Sequence, residues 1–235
     1  MDKKISVCMA TYNGEKYIKE QLDSILHQIK ESDEVIISDD QSNDSTRKII
    51  EEYHDIRIKL FVNSDKKGLT YNFENAIKRA TGDVIFLSDQ DDIWMDKKVE
   101  VCMEKLQEFD VVVTDCTLIN NNHEILNKSY FDLNGSKKGF LKNIYRSSYL
   151  GSCLAFNKVL LKDILPFPKN LRLYHDWWIG INADLYYKVL FIKEPLMYYR
   201  RHDDTMSTTG FKSKQKISKR IIDRMQLLLF TLKKR

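Results

Sequence analysis

The chain has 235 residues, 43% of them apolar and 31% charged, which is enough to bury a full core and unlike a disordered or low-complexity chain. Its apolar runs are only about five to seven residues long, against the roughly 20 that a membrane-spanning helix needs, and MDKKISVCMA lacks the apolar stretch of a secretory leader, so a cytoplasmic location is expected. Nine Lys or Arg and one Asp in residues 211–235 carry +8 of a net +4, which leaves −4 on residues 1–210, and this acidic body without a nucleic-acid motif argues against DNA or RNA binding.

Taken in chain order, ISVCMA (5–10) reads as a strand, and EKYIKEQLDSILHQI (15–29) sets Ile18, Leu22, Ile25, Leu26 and Ile29 on one helical face. The alternation repeats. EVIIS (34–38) precedes the helix-like DSTRKIIEEY, IKLFV (58–62) precedes YNFENAIKRA, and DVIFL (83–87) precedes DKKVEVCMEKLQEF. Strands alternating with helices predict a parallel, doubly wound α/β sheet, whose ligands bind at the carboxyl ends of the strands. From residue 110 the rhythm loosens: a strand at VVVTDCTLI, a turn at NNNHE, a helix near GFLKNIYR, a strand at SCLAF and a break at PFP (166–168). An aromatic-rich helix, YHDWWIGINADLYY, and strands around VLFI and PLMYYRRH follow. The expected organisation is one domain over 1–210, with a nucleotide-binding half (1–108) and an acceptor-binding half (109–210), then a basic amphipathic helix over 211–235. Cys8, Cys102, Cys116 and Cys153 form no CxxC pair and read as reduced, buried thiols.

Three strand ends carry polar clusters: Ala10-Thr11-Tyr12-Asn13-Gly14, Ser38-Asp39-Asp40-Gln41-Ser42 and Asp89-Gln90-Asp91-Asp92. In a parallel sheet these ends share one edge and line one cleft. An aromatic ring there can stack a base, a carboxylate can accept from a base imide, and the acidic stretch can hold a divalent cation that bridges phosphates. Three carboxylates in four positions repel one another unless a positive group or solvent lies among them. Each cluster alone also reads as an ordinary turn, with Asp44 or Ser45 capping the next helix. A calcium loop would place Asp89, Asp91 and Glu100 at positions 1, 3 and 12, but Ile93 and Trp94 then fall where an oxygen ligand and a glycine are needed. A phosphatase-type nucleophile at Asp89 would leave the other two clusters without a role.

ISVCMATYNGEKYIKEQLDSIL, EVIISDDQSNDST, GDVIFLSDQDDIW, YHDWW and YRRHDDTMS together resemble family-2 glycosyltransferases of the GT-A fold, over about residues 4–207. The likeness is to bacterial members of the rhamnosyltransferase-like kind that build capsule or O-antigen polysaccharides. The resemblance implies a mostly parallel, Rossmann-like central sheet flanked by helices, and a UDP- or dTDP-sugar donor. It implies that Ala10, Thr11, Tyr12 and Asn13 border the nucleoside and that Asp40 accepts from the pyrimidine N3–H. Asp89, with Gln90, would face the ribose or the metal, and Asp91 would be the chief Mn²⁺ or Mg²⁺ ligand. Asn72, Asn75 and Lys78 lie where relatives contact the donor. Arg201 or His202 would bind the diphosphate, with His202 also a metal contact. Asp176 matches the general base of an inverting transfer, with His175 where Glu is more usual; the plainer reading makes Asp176 an N-cap. The implied acceptor is a hydroxyl of a growing, lipid-linked bacterial glycan. A non-catalytic nucleotide-sugar or glycan-binding module is the alternative, against which intact Asp91 and Asp176 argue.

In the tail, Ile217, Ile221, Met225, Leu228 and Leu232 form an apolar stripe among basic residues. Such a helix can lie on an anionic membrane, pack on its own domain or bind a partner. The membrane reading would make the protein peripheral at the inner face of the bacterial cell membrane.

Overall fold

The computed structural model describes residues 3–64, 66–202 and 217–233. The first half follows the expected alternation: β1 (Ile5–Thr11), α1 (Ile18–Leu26), β2 (Glu34–Asp39), α2 (Thr46–Glu51), β3 (Ile58–Val62), α3 (Leu69–Ile77), β4 (Val84–Asp89), β5 (Ile93–Trp94) and α4 (Lys98–Lys105). The second half holds β6 (Val111–Ile119), β7 (Ile125–Asn127), α5 (Tyr130–Asn134), α6 (Phe140–Tyr145), β8 (Leu154–Asn157), α7 (Leu161–Ile164), α8 (His175–Tyr186), β9 (Val189–Arg200) and α9 (Ile217–Lys233). Residues 203–216, which include the end of the YRRHDDTMS stretch, the expected boundary at 210 and part of the basic tail, lie outside the described residues.

All positions of β1, β2 and β6 are buried, as expected for strands covered on both faces by helices. On α1 the buried apolar positions Ile18, Leu22 and Ile25 follow the three-to-four spacing of one helical stripe. Just before α2, Asp44 Oδ1 accepts the Thr46 backbone N–H at 2.9 Å, whereas Ser45, at the cap position, makes no side-chain cap bond. All four cysteines are buried and free.

The strands run β3-β2-β1-β4-β8-β6-β9-β5 across one sheet, with β7 paired to β6. β1 lies between β2 and β4, parallel to both, and its Ala10 is level with Ser38 on one side and Asp89 on the other. The chain leaves β1 toward β2 and later returns to β4 on the opposite flank, so the crevice of a doubly wound sheet opens at the end of β1. The parallel expectation holds for β1 to β4 but not for the join to the second half. There β8 is antiparallel to both β4 and β6, because the chain comes back from β6 to the end of the sheet it left, without crossing over. The two strands expected around VLFI and PLMYYRRH are one strand, β9, whose register against β6 shifts near Asp115. β5 has only two residues and no periodicity to betray it. It ties the acidic stretch to β9 through Ile93 opposite Tyr198 and Trp94 opposite Met197.

The packing of α8 depends on a glycine. A Cβ at Gly180 would stand 2.1 Å from the Tyr149 ring, which is itself buried. Gly180→Ala is therefore expected to destabilise the protein by about 1–3 kcal/mol despite the better helix propensity of alanine. Denaturant unfolding of the variant measures this, and an unchanged midpoint would mean that Tyr149 moves aside freely.

Candidate functional site

A cleft of about 730 Å³ opens where β1, β2 and β4 end, and the three polar clusters of the sequence meet in it. Ala10, Thr11, Tyr12 and Asn13 reach it from β1, Asp40 from β2, and Asp89, Gln90 and Asp91 from β4. Thr11 is buried, with its hydroxyl on the Asp39 carboxylate at 3.0 Å and its carbonyl accepting from Asn72 Nδ2 at 3.0 Å. Tyr12 leaves its ring more than half exposed, while Gln90 grips its backbone from both sides: Tyr12 N–H donates to Oε1 at 2.8 Å and Nε2 donates to the Tyr12 carbonyl at 3.0 Å. Gly14 fits beside that clamp because a Cβ there would stand 2.3 Å from Gln90 Oε1. Asn13 has φ of 49°, a conformation asparagine tolerates better than most residues, and its side chain accepts the Asn43 N–H.

The Asp40 carboxylate accepts from Asn63 Nδ2 at 3.0 Å and from the Gly68 N–H at 2.8 Å. Each oxygen keeps a further lone pair, so Asp40 is oriented yet still able to accept from a ligand. The structure does not bring Asn75 and Lys78 into the cleft. Asn75 Nδ2 donates to Ser38 Oγ at 2.7 Å, and Lys78 pairs with Glu74 at 2.7 Å one helical turn back. Asn72 takes that place on the same helix, with its Oδ1 buried and unpartnered.

Asp89 and Asp91 border the cleft, whereas Asp92 is buried and accepts the Arg200 backbone N–H at 3.1 Å. Burial pushes the Asp89 carboxyl up to about 7, with the charges of Asp91 and Asp176 adding to the shift, and Asp92 is also raised. Two buried cations lie in this region, of which Lys98 tempers the Asp89 charge, and both were missed in the sequence. The Arg200 guanidinium, where Arg201 was expected to matter, donates to the Asp91 carbonyl at 2.9 Å and pairs with Glu20 at 2.5 Å. Arg201 does not line the cleft, and its backbone N–H donates to the Ile119 carbonyl. Lys98 donates to the Ser152 carbonyl at 2.7 Å and lies over the Trp94 ring. Its only trace in the sequence is a charge next to Val99 on the buried side of α4.

His202 Nε2 stands 2.7 Å from Asp91 Oδ2, and its ring stacks on Tyr17. Among the described residues no three His, Cys, Asp or Glu side chains converge into a metal cage. A hard cation held by one or two carboxylates and completed by ligand phosphates needs none. Asp91 and His202, with Asp89 beside them, have the donor chemistry of such an open half-site.

Asp176 sits in the first turn of α8, two residues after the cap position at Tyr174, so the N-cap reading fails. Its carboxylate accepts the Trp177 N–H at 2.7 Å and the Gly151 N–H, and burial pushes it up to about 7. It lies beyond the cleft lining but close enough to raise the Asp89 carboxyl. The 3₁₀ turn Gly151–Cys153 connects the two centres, since Gly151 holds Asp176 and Ser152 is held by Lys98. His175 is a core side chain. It stacks on Phe73 with ring centroids 3.9 Å apart, neither ring nitrogen has a hydrogen-bond partner, and burial pushes its pKa down to about 3, so it is neutral.

Lys98→Met would leave the Ser152 carbonyl unpaired and withdraw a cation from the carboxylates. The variant is expected to lose about 10–100-fold in activity or metal affinity. A metal titration of a folded variant measures this, and wild-type behaviour would make Lys98 a packing residue only.

A family model described as Glycosyl transferase family 2 matches residues 6–165. One curated relative is the UDP-Glc:alpha-D-GlcNAc-diphosphoundecaprenol beta-1,3-glucosyltransferase WfgD of Escherichia coli, 33% identical over 128 residues, which are 54% of this chain and 49% of that protein. The match thus spans about half the length of that relative. Another is the dTDP-rhamnosyl transferase RfbG of Shigella flexneri, 29% identical, with 88% of this chain and 77% of that protein covered. Among solved structures, TarS 1-349 of S. aureus in complex with UDP-GlcNAc superposes with a TM-score of 0.74 at 22% identity, covering 98% of this chain and 69% of that one. At that identity the likeness speaks for the GT-A fold alone.

Proposed function

This chain belongs to glycosyl transferase family 2, and on that premise we propose that it moves a sugar from a UDP- or dTDP-sugar to a hydroxyl of a bacterial surface glycan. The observation that carries the reading is the meeting of Tyr12, Asp40 and Asp91 from three separate strands in one cleft, with Asp176 behind them. Tyr12 offers its exposed ring to the base and Asp40 a carboxylate to the pyrimidine N3–H, while Gln90 keeps Tyr12 in place. Asp91 and His202 would hold Mn²⁺ or Mg²⁺, and the ion would neutralise the leaving diphosphate. Asp176 takes the proton of the acceptor hydroxyl as that oxygen attacks the anomeric carbon from the face opposite the nucleotide. The C–O bond to the diphosphate breaks as the new glycosidic bond forms, so the anomeric configuration inverts and no covalent enzyme intermediate arises.

The names of the E. coli and Shigella relatives support a nucleotide-sugar donor of this kind, and the first also supports a lipid-linked diphosphate acceptor. Calorimetric titration with UDP and with dTDP, each with and without Mn²⁺, tests the donor site. One nucleotide is expected to bind tightly and only with metal; failure of both in the presence of metal would overturn the reading.

A further inference from the structure

α9 has a buried face and an exposed apolar face, and the fold packs only the first. At about 100° per residue, Asp223, Leu227 and Thr231 fall on one side of the helix, and all three are buried. This face packs against α8 and α6, with Arg172 paired to Asp223 and Gln226 donating to the Asn170 carbonyl. Of the three surfaces left open for this helix by the sequence, its own domain takes this side. On the opposite side Ile221, Ile222, Met225, Leu229 and Leu232 are each more than half exposed, and they share an arc of about 100°. Of the stripe read from the sequence, Ile221, Met225 and Leu232 belong to this outer face and Leu228 is half-buried.

A second element adjoins it. Arg224 reaches across to α6, donating to the carbonyls of Ile144 and Tyr145 at 3.1 Å and 2.6 Å. On α6, Leu141 is 81% exposed and Tyr145, four residues on and on the same side of the helix, is 68% exposed. Nothing in the sequence pattern singled out these two residues. The stretch also carries Lys137, Lys138 and Arg146, all exposed, while Lys233 edges the outer arc of α9 and the exposed Lys219 lies between that arc and the packed side. Large apolar side chains ringed by cations, on a body whose other residues are net acidic, suit a surface with an apolar interior and anionic headgroups.

We propose that the joint α6–α9 face docks on an anionic lipid bilayer, with Leu141, Tyr145, Ile221, Met225 and Leu232 entering at headgroup depth and the flanking Lys and Arg meeting the anionic headgroups. Docking there is independent of the transfer chemistry. It would nevertheless bring the side of the molecule next to α8, and so Asp176, toward an acceptor held in the membrane, since the Arg224 guanidinium also lies over the Trp177 ring at 5.6 Å.

Co-sedimentation of the full chain with vesicles of phosphatidylcholine alone, and with phosphatidylglycerol added, tests this. The wild type is expected to bind only the anionic vesicles, and less well as salt is raised. Leu141→Ser with Tyr145→Ser, and separately Ile221→Ser with Met225→Ser and Leu232→Ser, are each expected to lower binding about tenfold or more. These positions are exposed, so the fold should survive, and unchanged nucleotide binding by the same variants verifies it. Wild-type protein that binds neither vesicle, or binding that both sets of substitutions leave intact, would overturn the proposal. So would a wild-type dimer in solution that the α9 substitutions convert to monomer, because a second copy would then cover the face. A protein that binds vesicles but no nucleotide would refute the proposed function and leave this inference standing.

Discussion

Asp176→Asn is expected to lower the rate of transfer by about 10²–10⁴-fold, the usual contribution of a general base, while nucleotide binding stays close to wild type. The separation of effects follows from geometry. Asp176 lies beyond the donor cleft, held by the Trp177 and Gly151 N–H groups, so asparagine can keep its place without being able to take a proton. The pH dependence sharpens the test. A base works only when ionised, and burial pushes the Asp176 carboxyl up to about 7, so kcat/KM should climb as pH rises toward 7 and level off above it. An ordinary carboxylate would already be on that plateau near pH 5. The residual activity of Asp176→Asn should lose this limb. A fully active variant, or one that keeps the wild-type profile, would remove Asp176 from the role.

Asp91→Asn is expected to act on the other centre, with a loss of about 10²–10³-fold in transfer and the disappearance of metal-dependent nucleotide binding. Asparagine keeps an oxygen near His202 but no charge to attract a cation, whose hard-ion chemistry favours carboxylate oxygen. The same change should leave the metal-free protein as stable as the wild type or slightly more so. Asp91 bears on both Asp89 and Asp92, and removing it relieves like-charge repulsion among half-buried and buried carboxylates. Metal titration by calorimetry, beside thermal unfolding without metal, separates the two effects. Metal-dependent binding that survives in Asp91→Asn would move the ion elsewhere.

The fold adds to what the sequence suggested about three carboxylates in four positions. A divalent cation that bridges phosphates is one way to relieve their repulsion. The folded chain already brings Arg200 and Lys98 to the same region, and it turns Asp92 inward against the Arg200 backbone, so that only Asp89 and Asp91 face the cleft. Arg200 and Arg201 look alike in the sequence as neighbours at a strand end, and only pairing with β6 and β5 decides which one is enclosed. Asn72, Asn75 and Lys78 were all placed near the donor, by the resemblance and by the helix they share. The rotation of α3 turns only Asn72 of these to the cleft, and Asn75 to Ser38.

The sequence by itself determined the alternation of strands and helices in the first half, the polar strand ends and the amphipathic tail, because these rest on periodicities of two and 3.6 residues and on turn chemistry within a few positions. Tertiary structure alone decided how the two halves join, which cations sit among the carboxylates and which face of α9 is left outward. Those outcomes depend on residues far apart in the chain: Lys98 meets Ser152 across 54 positions, and Arg200 meets Glu20 across 180. No local pattern encodes a contact at that separation, since it exists only once the sheet has set both partners side by side.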